Sequence, residues 1–333
     1  MKVKDKVYKL LSENTDRYIS GEEMADKFGV SRSAVWKAVK TLSDDGFNIL
    51  AVTNKGYKLE KDSDVLTKQG ILKYLSDEAK EFVDIEVFET IDSTNTRLKE
   101  MAANGEAEEG KVLVALEQTA GKGRMNRKFY SPSKTGVYLS ILLKPDTDSK
   151  SALYITTMTA VALCNAIESV VNVECKIKWV NDIYINEKKV VGILSEGSFN
   201  METNKFDYIV VGIGVNVKEP EGGFSEDIKD IAASITTGIE YDNYDLKNRL
   251  AAAEINNIVK EYKDFSKHEF MKKYKEKSML IGKLVYVTSD PDKEELEVID
   301  IDAAAALVVR HKDGSIQHLS SGEVSVKWIK TRQ

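Results

Sequence analysis

The chain has 333 residues, enough for two or three domains, and its 42% hydrophobic and 31% charged content excludes a disordered or low-complexity protein. Its two cysteines, Cys164 and Cys175, lie in apolar surroundings; they argue against a disulfide scaffold or thiolate metal centre and suit reduced thiols in a cytoplasmic protein. No apolar segment follows the basic N-terminus as a signal peptide would require, and no run of about 18 apolar residues is expected to span a membrane.

Net charge is −6 but uneven: residues 1–60 hold 11 Lys/Arg against 9 Asp/Glu, leaving about −8 on the remainder. This favours a nucleic-acid partner for the N-terminal part only. There, Val3, Val7, Leu10 and Leu11 fall at helical spacing. Ser20-Gly-Glu-Glu23 reads as a capping box opening a second helix, which carries Met24, Ala25 and Phe28 and stops at Gly29. Ser31 caps a third, whose Val35, Ala38, Val39 and Leu42 face inward until Gly46. The last two form a helix-turn-helix. Its second helix offers Ser31, Arg32, Ser33, Trp36, Lys37 and Lys40 to a major groove, although Trp36 suits a core equally well. Phe47–Thr53 and Tyr57–Leu59, separated by Asn54-Lys-Gly56, make a hairpin, and a hairpin in that place is a wing. The unit reads either as a DNA-binding winged helix or as a protein-interaction module.

Residues 62–82 read as helical, followed by a strand from Ile85 and a helix over Thr96–Asn104. Between these two lies Asp92-Ser-Thr-Asn95, whose side chains either cap the helix or hold a small polar ring such as a ureido group. Val112–Leu116 is a strand that empties into Gln118-Thr-Ala-Gly-Lys-Gly-Arg-Met-Asn-Arg127, with three cations and two glycines. Such a loop suits phosphate or carboxylate, and it is neither a dinucleotide nor a P-loop fingerprint. Gly136–Leu143 is a strand and Ala152–Val170 a long buried helix. Lys176–Ile185 reads as a strand broken at Asn181-Asp182, a pair that serves either a turn or an oxygen-seeking cation such as Mg²⁺. A turn over Asn186–Lys189, its lysines solvated, leads into Val190–Glu196. Tyr208–Val217 is a buried strand whose alternating glycines admit either a ligand or another strand.

Taken in order, D-S-T-N at 92–95, the Q-x-x-G-[RK]-G-R-x-x-R loop at 118–127, K-W-x-N-D at 178–182, Lys189 with Gly192-Ile-Leu-x-Glu196, and Gly212-Ile-Gly-Val-Asn216 closely resemble the biotin protein ligases. The resemblance covers essentially the whole chain, and the N-terminal winged helix matches the bifunctional members that also repress biotin operons. It implies an α+β multidomain protein: a winged helix-turn-helix over 1–62, a mixed α/β, class II synthetase-like ligase domain over 63–278, and a small SH3-like β-barrel over 279–333. It implies that Ser93, Thr94, Asn95 and Gln118 line a biotin pocket, and that Lys122, Gly123 and Arg124 close over the carboxylate and the ATP α-phosphate. Lys189 then bridges the two. Arg124, Arg127, Trp179, Asn181 and Asn216 lie near the nucleotide, and Asp182 near Mg²⁺. Residues 218–231 match a loop that orders over the adenylate. Three positions depart from the common pattern: Lys122 for Arg, which keeps charge but loses bidentate contact; Asn126 for Gly, which stiffens the loop; and Val180 for Pro.

The reaction implied is adenylation of biotin by Mg·ATP to biotinyl-5′-AMP, then transfer to a lysine of a biotin carboxyl carrier protein, from acetyl-CoA carboxylase or pyruvate carboxylase. His268, His311 and His318 all fall late in the chain, so positioning and charge neutralisation carry the chemistry. The adenylate is expected to act as corepressor by favouring a homodimer on operator DNA. Competing readings are a biotin sensor without turnover, a ligase whose N-terminal domain makes protein contacts only, and a ligase for a related acid such as lipoate.

Overall fold

The computed structural model describes residues 2–44, 47–60, 64–146, 152–288, 290, 294–320, 322 and 324–326. The expected stop at Gly46, the boundary at 62–63 and the C-terminal residues 327–333 lie outside them. The chain forms two compact units, Met1–Leu75 with Glu240–Ala252, and Ser76–Ile239 with Ala253–Gln333.

In the first unit, α1 (Val3–Ser12), α2 (Gly21–Phe28) and α3 (Arg32–Asp44) precede a hairpin of β1 (Ile49–Val52) and β2 (Gly56–Leu59). Each boundary has a local cause. Ser20 Oγ accepts from Glu23 N at 3.0 Å, Gly29 ends α2 at φ 64°, and Ser31 Oγ accepts from Ala34 N at 3.2 Å. The wing turns through Asn54 at φ 65°, and Gly56 lies so close to the backbone of Ile19 that a Cβ would come within 2.2 Å of its carbonyl oxygen. The faces of α1, α2 and α3 meet in one core around Leu11, Met24, Val35 and Leu42.

The helix expected over 62–82 is two. Ser76 breaks it by capping the second, so α4 is Lys68–Tyr74 and α5 is Asp77–Phe82. The first unit also takes in α4 and the start of α8 (Leu246–Lys263) through a buried polar network. Asp245 accepts from the Tyr74 hydroxyl at 2.8 Å and from Asn248 Nδ2 at 2.7 Å, while Asn248 Oδ1 accepts from Thr67 N at 2.9 Å. Burial holds the Asp245 carboxyl above the ordinary range, against the lowering effect of those hydrogen bonds and of Lys73.

In the second unit, β3 (Asp84–Ile91), β4 (Lys111–Gln118), β5 (Gly136–Leu143), β6 (Lys176–Lys178), β7 (Asp182–Ile185), β8 (Lys188–Asn200) and β9 (Lys205–Asn216) form one sheet. Its order is β3-β4-β5-β9-β8-β7-β6, with β3 and β4 parallel and the rest antiparallel. Every residue of β5 is buried, as a central strand covered on both faces requires. Between β3 and β4, α6 (Thr94–Ala103) starts two residues earlier than expected because Ser93 is the cap. Leu98 and Met101 of α6 pack on Leu113, Leu142 and Val210.

The helix α7 (Ala152–Val170) is the long buried helix expected there. Its segment Leu153–Val170 is long and apolar enough to cross a bilayer, but 67% of it is buried inside the protein. After α8 come α9 (Phe270–Glu276) and a five-stranded antiparallel sheet ordered β13-β12-β11-β10-β14. Its strands are β10 (Leu284–Val287), β11 (Leu296–Ile301), β12 (Leu307–Arg310), β13 (Ile316–Leu319) and β14 (Val324–Val326).

Candidate functional site

A cavity of about 360 Å³ opens on the seven-stranded sheet and is lined by six cations, Lys122, Arg124, Arg127, Lys128, Lys178 and Lys189, against one carboxylate, Asp182. That excess suits a multiply anionic ligand. The residues expected at biotin, nucleotide and metal all line it except Asn216. Asn216, at the end of β9, instead gives its amide to Ala233 O at 3.1 Å.

Neutral hydrogen-bonding groups share the cavity. Gln118 at the end of β4 takes both the Thr94 amide, at 2.9 Å, and the Thr94 hydroxyl, at 3.1 Å, on its side-chain oxygen. Its amino group donates to Ser131 Oγ at 3.0 Å. The two readings of the D-S-T-N tetrad are compatible: Ser93 caps α6, and Ser93, Thr94 and Asn95 also line the cavity.

The 118–131 segment is closed by its own backbone. Gly123 N donates to Arg127 O at 2.7 Å, Phe129 N to Gly121 O at 2.9 Å, and Gln118 N to Ser131 O at 3.1 Å. A short turn over Arg124–Asn126 places both Met125 (φ 54°) and Asn126 (φ 58°) in the left-handed region. Asn tolerates that region better than most side chains, so Asn126 fits where glycine is common. Arg124 extends to Asn181 Oδ1 at 3.2 Å and Gly322 O at 3.4 Å.

The strand expected over Lys176–Ile185 is a hairpin: Lys178 pairs with Asp182, so the chain reverses at 179–181. The corner is fixed from several sides. The Trp179 indole donates to Ala305 O at 2.9 Å, Tyr274 OH donates to Val180 O at 3.0 Å, and Asn181 Nδ2 donates to Ile193 O at 2.8 Å. The next turn is only Asn186-Glu187, both at positive φ, so Lys188 and Lys189 belong to β8. Lys188 reaches Asp230 O at 2.7 Å and Lys229 O at 3.2 Å rather than simply being solvated. Lys189 pairs with Asp182 at 2.6 Å, and its backbone binds Ile231 and Ala233 at the end of the 218–231 loop. Asp182 Oδ1 is buried with that ammonium as its partner and retains lone pairs for a hard cation. Among the described residues no group of three or more metal-ligating side chains exists, so any cation there depends on one carboxylate and its ligand's phosphates.

The glycines Gly212 and Gly214 of β9 line the cavity, and the space they leave is taken up by two side chains. A Cβ on Gly212 would lie 2.6 Å from Asn95 Oδ1, and one on Gly214 would lie 2.3 Å from the Phe129 ring. Phe129 is a site residue that local pattern did not reveal. So is Ser140, whose hydroxyl lies 2.8 Å from Thr94 Oγ1 and 3.2 Å from Asn95 Oδ1. Glu196, the end of the Gly192-Ile-Leu-x-Glu196 motif, had no role assigned from sequence and holds the Asn95 amide from behind.

In the first unit, Ser31, which caps α3, and Arg32, Ser33, Trp36, Lys37 and Lys40 on it are all exposed. Trp36 is 53% accessible, which excludes the core alternative, and Lys40 stands 5.6 Å over its ring. The face is cationic and aromatic.

Comparison with known proteins finds two family matches along the chain. Residues 87–216 match the biotin/lipoate A/B protein ligase family, and residues 4–58 match an HTH domain. The bifunctional ligase/repressor BirA of Bacillus subtilis is 34% identical, with 78% of each chain covered. That of Escherichia coli is 28% identical, with 92% of each covered. The structure of a biotin protein ligase from Aquifex aeolicus in complex with biotin and ATP is similar at a TM-score of 0.61 and 29% identity. The match covers 73% of this chain and 98% of that one.

Proposed function

Because the chain belongs to the biotin protein ligases, within the bifunctional ligase/repressors, we propose that its cavity joins biotin to ATP and that its α3 face reads operator DNA. The protein is an ATP-dependent ligase that makes biotinyl-5′-AMP and transfers biotin to a carrier lysine, and it represses transcription in response to the adenylate. The observation that carries the reading is a single cavity that combines six cations with the Thr94–Gln118–Asn95 set of neutral hydrogen-bonding groups.

Adenylation brings a carboxylate against a phosphate, so like charges must meet. Lys122, Arg124 and Lys189 lower that repulsion, and the Lys189–Asp182 pair at 2.6 Å keeps the ammonium aimed before substrate arrives. Ser93, Thr94, Asn95 and Gln118 hold the ureido ring. Arg127, Trp179 and Asn181 take the nucleotide, while Asn216 supports the loop end at Ala233. Asp182 is the residue that would hold Mg²⁺, which shields phosphate charge when bound. The acceptor is a biotin carboxyl carrier protein, the five-stranded C-terminal sheet is an SH3-like barrel, and the repressing form is a cytoplasmic homodimer whose two α3 helices meet two half-sites.

Incubation with ATP, Mg²⁺, biotin and a carrier domain, followed by intact mass, tests the ligase reading: one biotin-sized increment is expected, and its absence overturns it. Lys189→Ala lowers pyrophosphate release by roughly 10²–10³ without loss of folding. Wild-type release by that variant removes Lys189 from the site.

A further inference from the structure

Asn95 is buried, 4% exposed, and lines the cavity. Its Nδ2 lies 2.5 Å from Glu196 Oε2, and the other carboxylate oxygen of Glu196 takes Lys99 Nζ at 2.6 Å. Neither Glu196 nor Lys99 lines the cavity. They stand behind Asn95, on β8 and α6.

An amide side chain has two faces of opposite polarity, and exchanging them costs little unless a neighbour forbids it. An ionised carboxylate accepts and never donates, so it forbids it. Burial raises the Glu196 carboxyl, but hydrogen bonds from Lys99 and Asn95 and the Lys99 charge outweigh that and hold it below the ordinary range. The Asn95 amino group must therefore face Glu196, and its oxygen faces Gly212 on the cavity floor, where a Cβ would come within 2.6 Å. Ser140 has one proton to give. Thr94 already spends its own on Gln118, so Thr94 Oγ1, 2.8 Å away, is the better recipient than Asn95 Oδ1 at 3.2 Å. The Asn95 oxygen thus keeps a lone pair for a donor inside the cavity.

We propose that Glu196, clamped by Lys99, is a positioning residue that holds the Asn95 oxygen toward the substrate ring. It thereby selects an acid bearing a ring N–H, a cyclic urea, over one with an apolar ring. The inference rests on the reading of Asn95 as part of the biotin pocket. A cyclic urea has N–H groups to satisfy that oxygen. The dithiolane ring of lipoic acid has none and leaves a buried acceptor unpaired, the kind of mismatch that gives large discrimination.

The test is steady-state adenylation by full-length Glu196→Gln, with biotin and lipoic acid as alternative substrates. A glutamine can donate or accept, so Asn95 is free to turn over. Expected are a KM for biotin raised roughly 10- to 100-fold, a kcat and an ATP KM within about twofold of wild type, and a biotin-to-lipoate preference narrowed by the same factor. Lys99→Met, at a partly exposed position, removes the clamp alone and is expected to shift the same constants by a smaller factor, even if Glu196→Gln does not fold. In an Asn95→Ala background, Glu196→Gln is expected to add less than about twofold. Independent, multiplying effects overturn the proposal, as do unchanged biotin KM values in both Glu196→Gln and Lys99→Met. If Asn95→Ala itself leaves the biotin KM unchanged, the pocket reading fails, and the proposal falls with it. If Asn95→Ala raises KM while the Glu196 and Lys99 variants do not, the pocket reading stands and only the proposal falls.

Discussion

Replacing Gly214 by alanine separates the positioning of the 118–131 segment from its chemistry. The new Cβ would lie 2.3, 2.6 and 2.8 Å from three carbons of the Phe129 ring. Carbon atoms rest at about 3.5–4 Å, so the ring has to withdraw by roughly 1 Å. Phe129 cannot retreat alone. Its amide is bonded to Gly121 O at 2.9 Å, and its carbonyl accepts from Ser131 Oγ at 3.1 Å. Gly121 in turn approaches the Phe129 carbonyl so closely that its own Cβ would be 2.5 Å away. The displacement therefore reaches Lys122 and Arg124. A misplacement of about 1 Å in a catalytic group costs on the order of 10²-fold. Gly214→Ala is expected to lower kcat/KM for adenylation by about that factor, measured as pyrophosphate release, with a near wild-type melting temperature. Phe129→Leu in the same chain, which shortens the obstructed side chain, is expected to recover part of the loss. Gly214→Ala activity within threefold of wild type would refute the reasoning.

Glu254 is fully buried with no hydrogen-bond partner for either carboxylate oxygen, and burial holds its carboxyl well above the ordinary value of 4.5. The folded state keeps a proton that the unfolded chain releases. Stability is thus fully present below pH 4.5 and falls as pH rises toward the folded value, by about 1.4 kcal/mol per pH unit while the proton stays. Glu254→Gln is expected to gain on wild type progressively as pH rises above 4.5 in denaturant titrations; a difference independent of pH contradicts this. On α3, Arg32→Ala and Lys37→Ala are each expected to reduce the slope of log affinity for operator DNA against log salt by about 0.9. Unchanged slopes in anisotropy titrations would remove these residues from the phosphate contacts. Asp182→Asn is expected to lower adenylation by about 10²–10³ and to flatten its dependence on Mg²⁺ concentration, and a wild-type Mg²⁺ titration would exclude Asp182 as the cation's ligand.

The first unit was legible because its signals are local. Ser20, Gly29, Ser31 and Asn54 each act on residues within one turn, and the inward positions repeat at helical spacing. The anion-binding loop announced itself through its cations. What escaped was non-local or concealed by apolarity. The reversal at 179–181 sits inside a run that reads as one strand, because Trp179 and Val180 are buried by tertiary contacts to Ala305 and Tyr274. Glu187 is an unusual residue for positive φ, so the turn at Asn186 looked longer than it is. The alternating glycines were visible, but Asn95 and Phe129, which occupy the space they leave, lie about a hundred residues away in sequence. Glu196 meets Asn95 and Lys99 across separations of 101 and 97 residues, which no spacing rule encodes.

The buried network of Tyr74, Asp245, Asn248 and Thr67 makes the DNA-binding unit discontinuous along the chain. Ile71, Leu246 and Leu250 of the same unit are fully buried. Cutting the chain after residue 62 would keep the four network residues together but strip α4 and the head of α8 of the winged helix that shares their compact unit, leaving apolar side chains such as Val65, which packs on that core, at a raw surface. A truncated ligase made that way is therefore expected to aggregate or lose stability for reasons unrelated to catalysis. A chimaera that exchanges DNA specificity would fold best if the donor supplied residues 64–75 and 240–252 together with the winged helix.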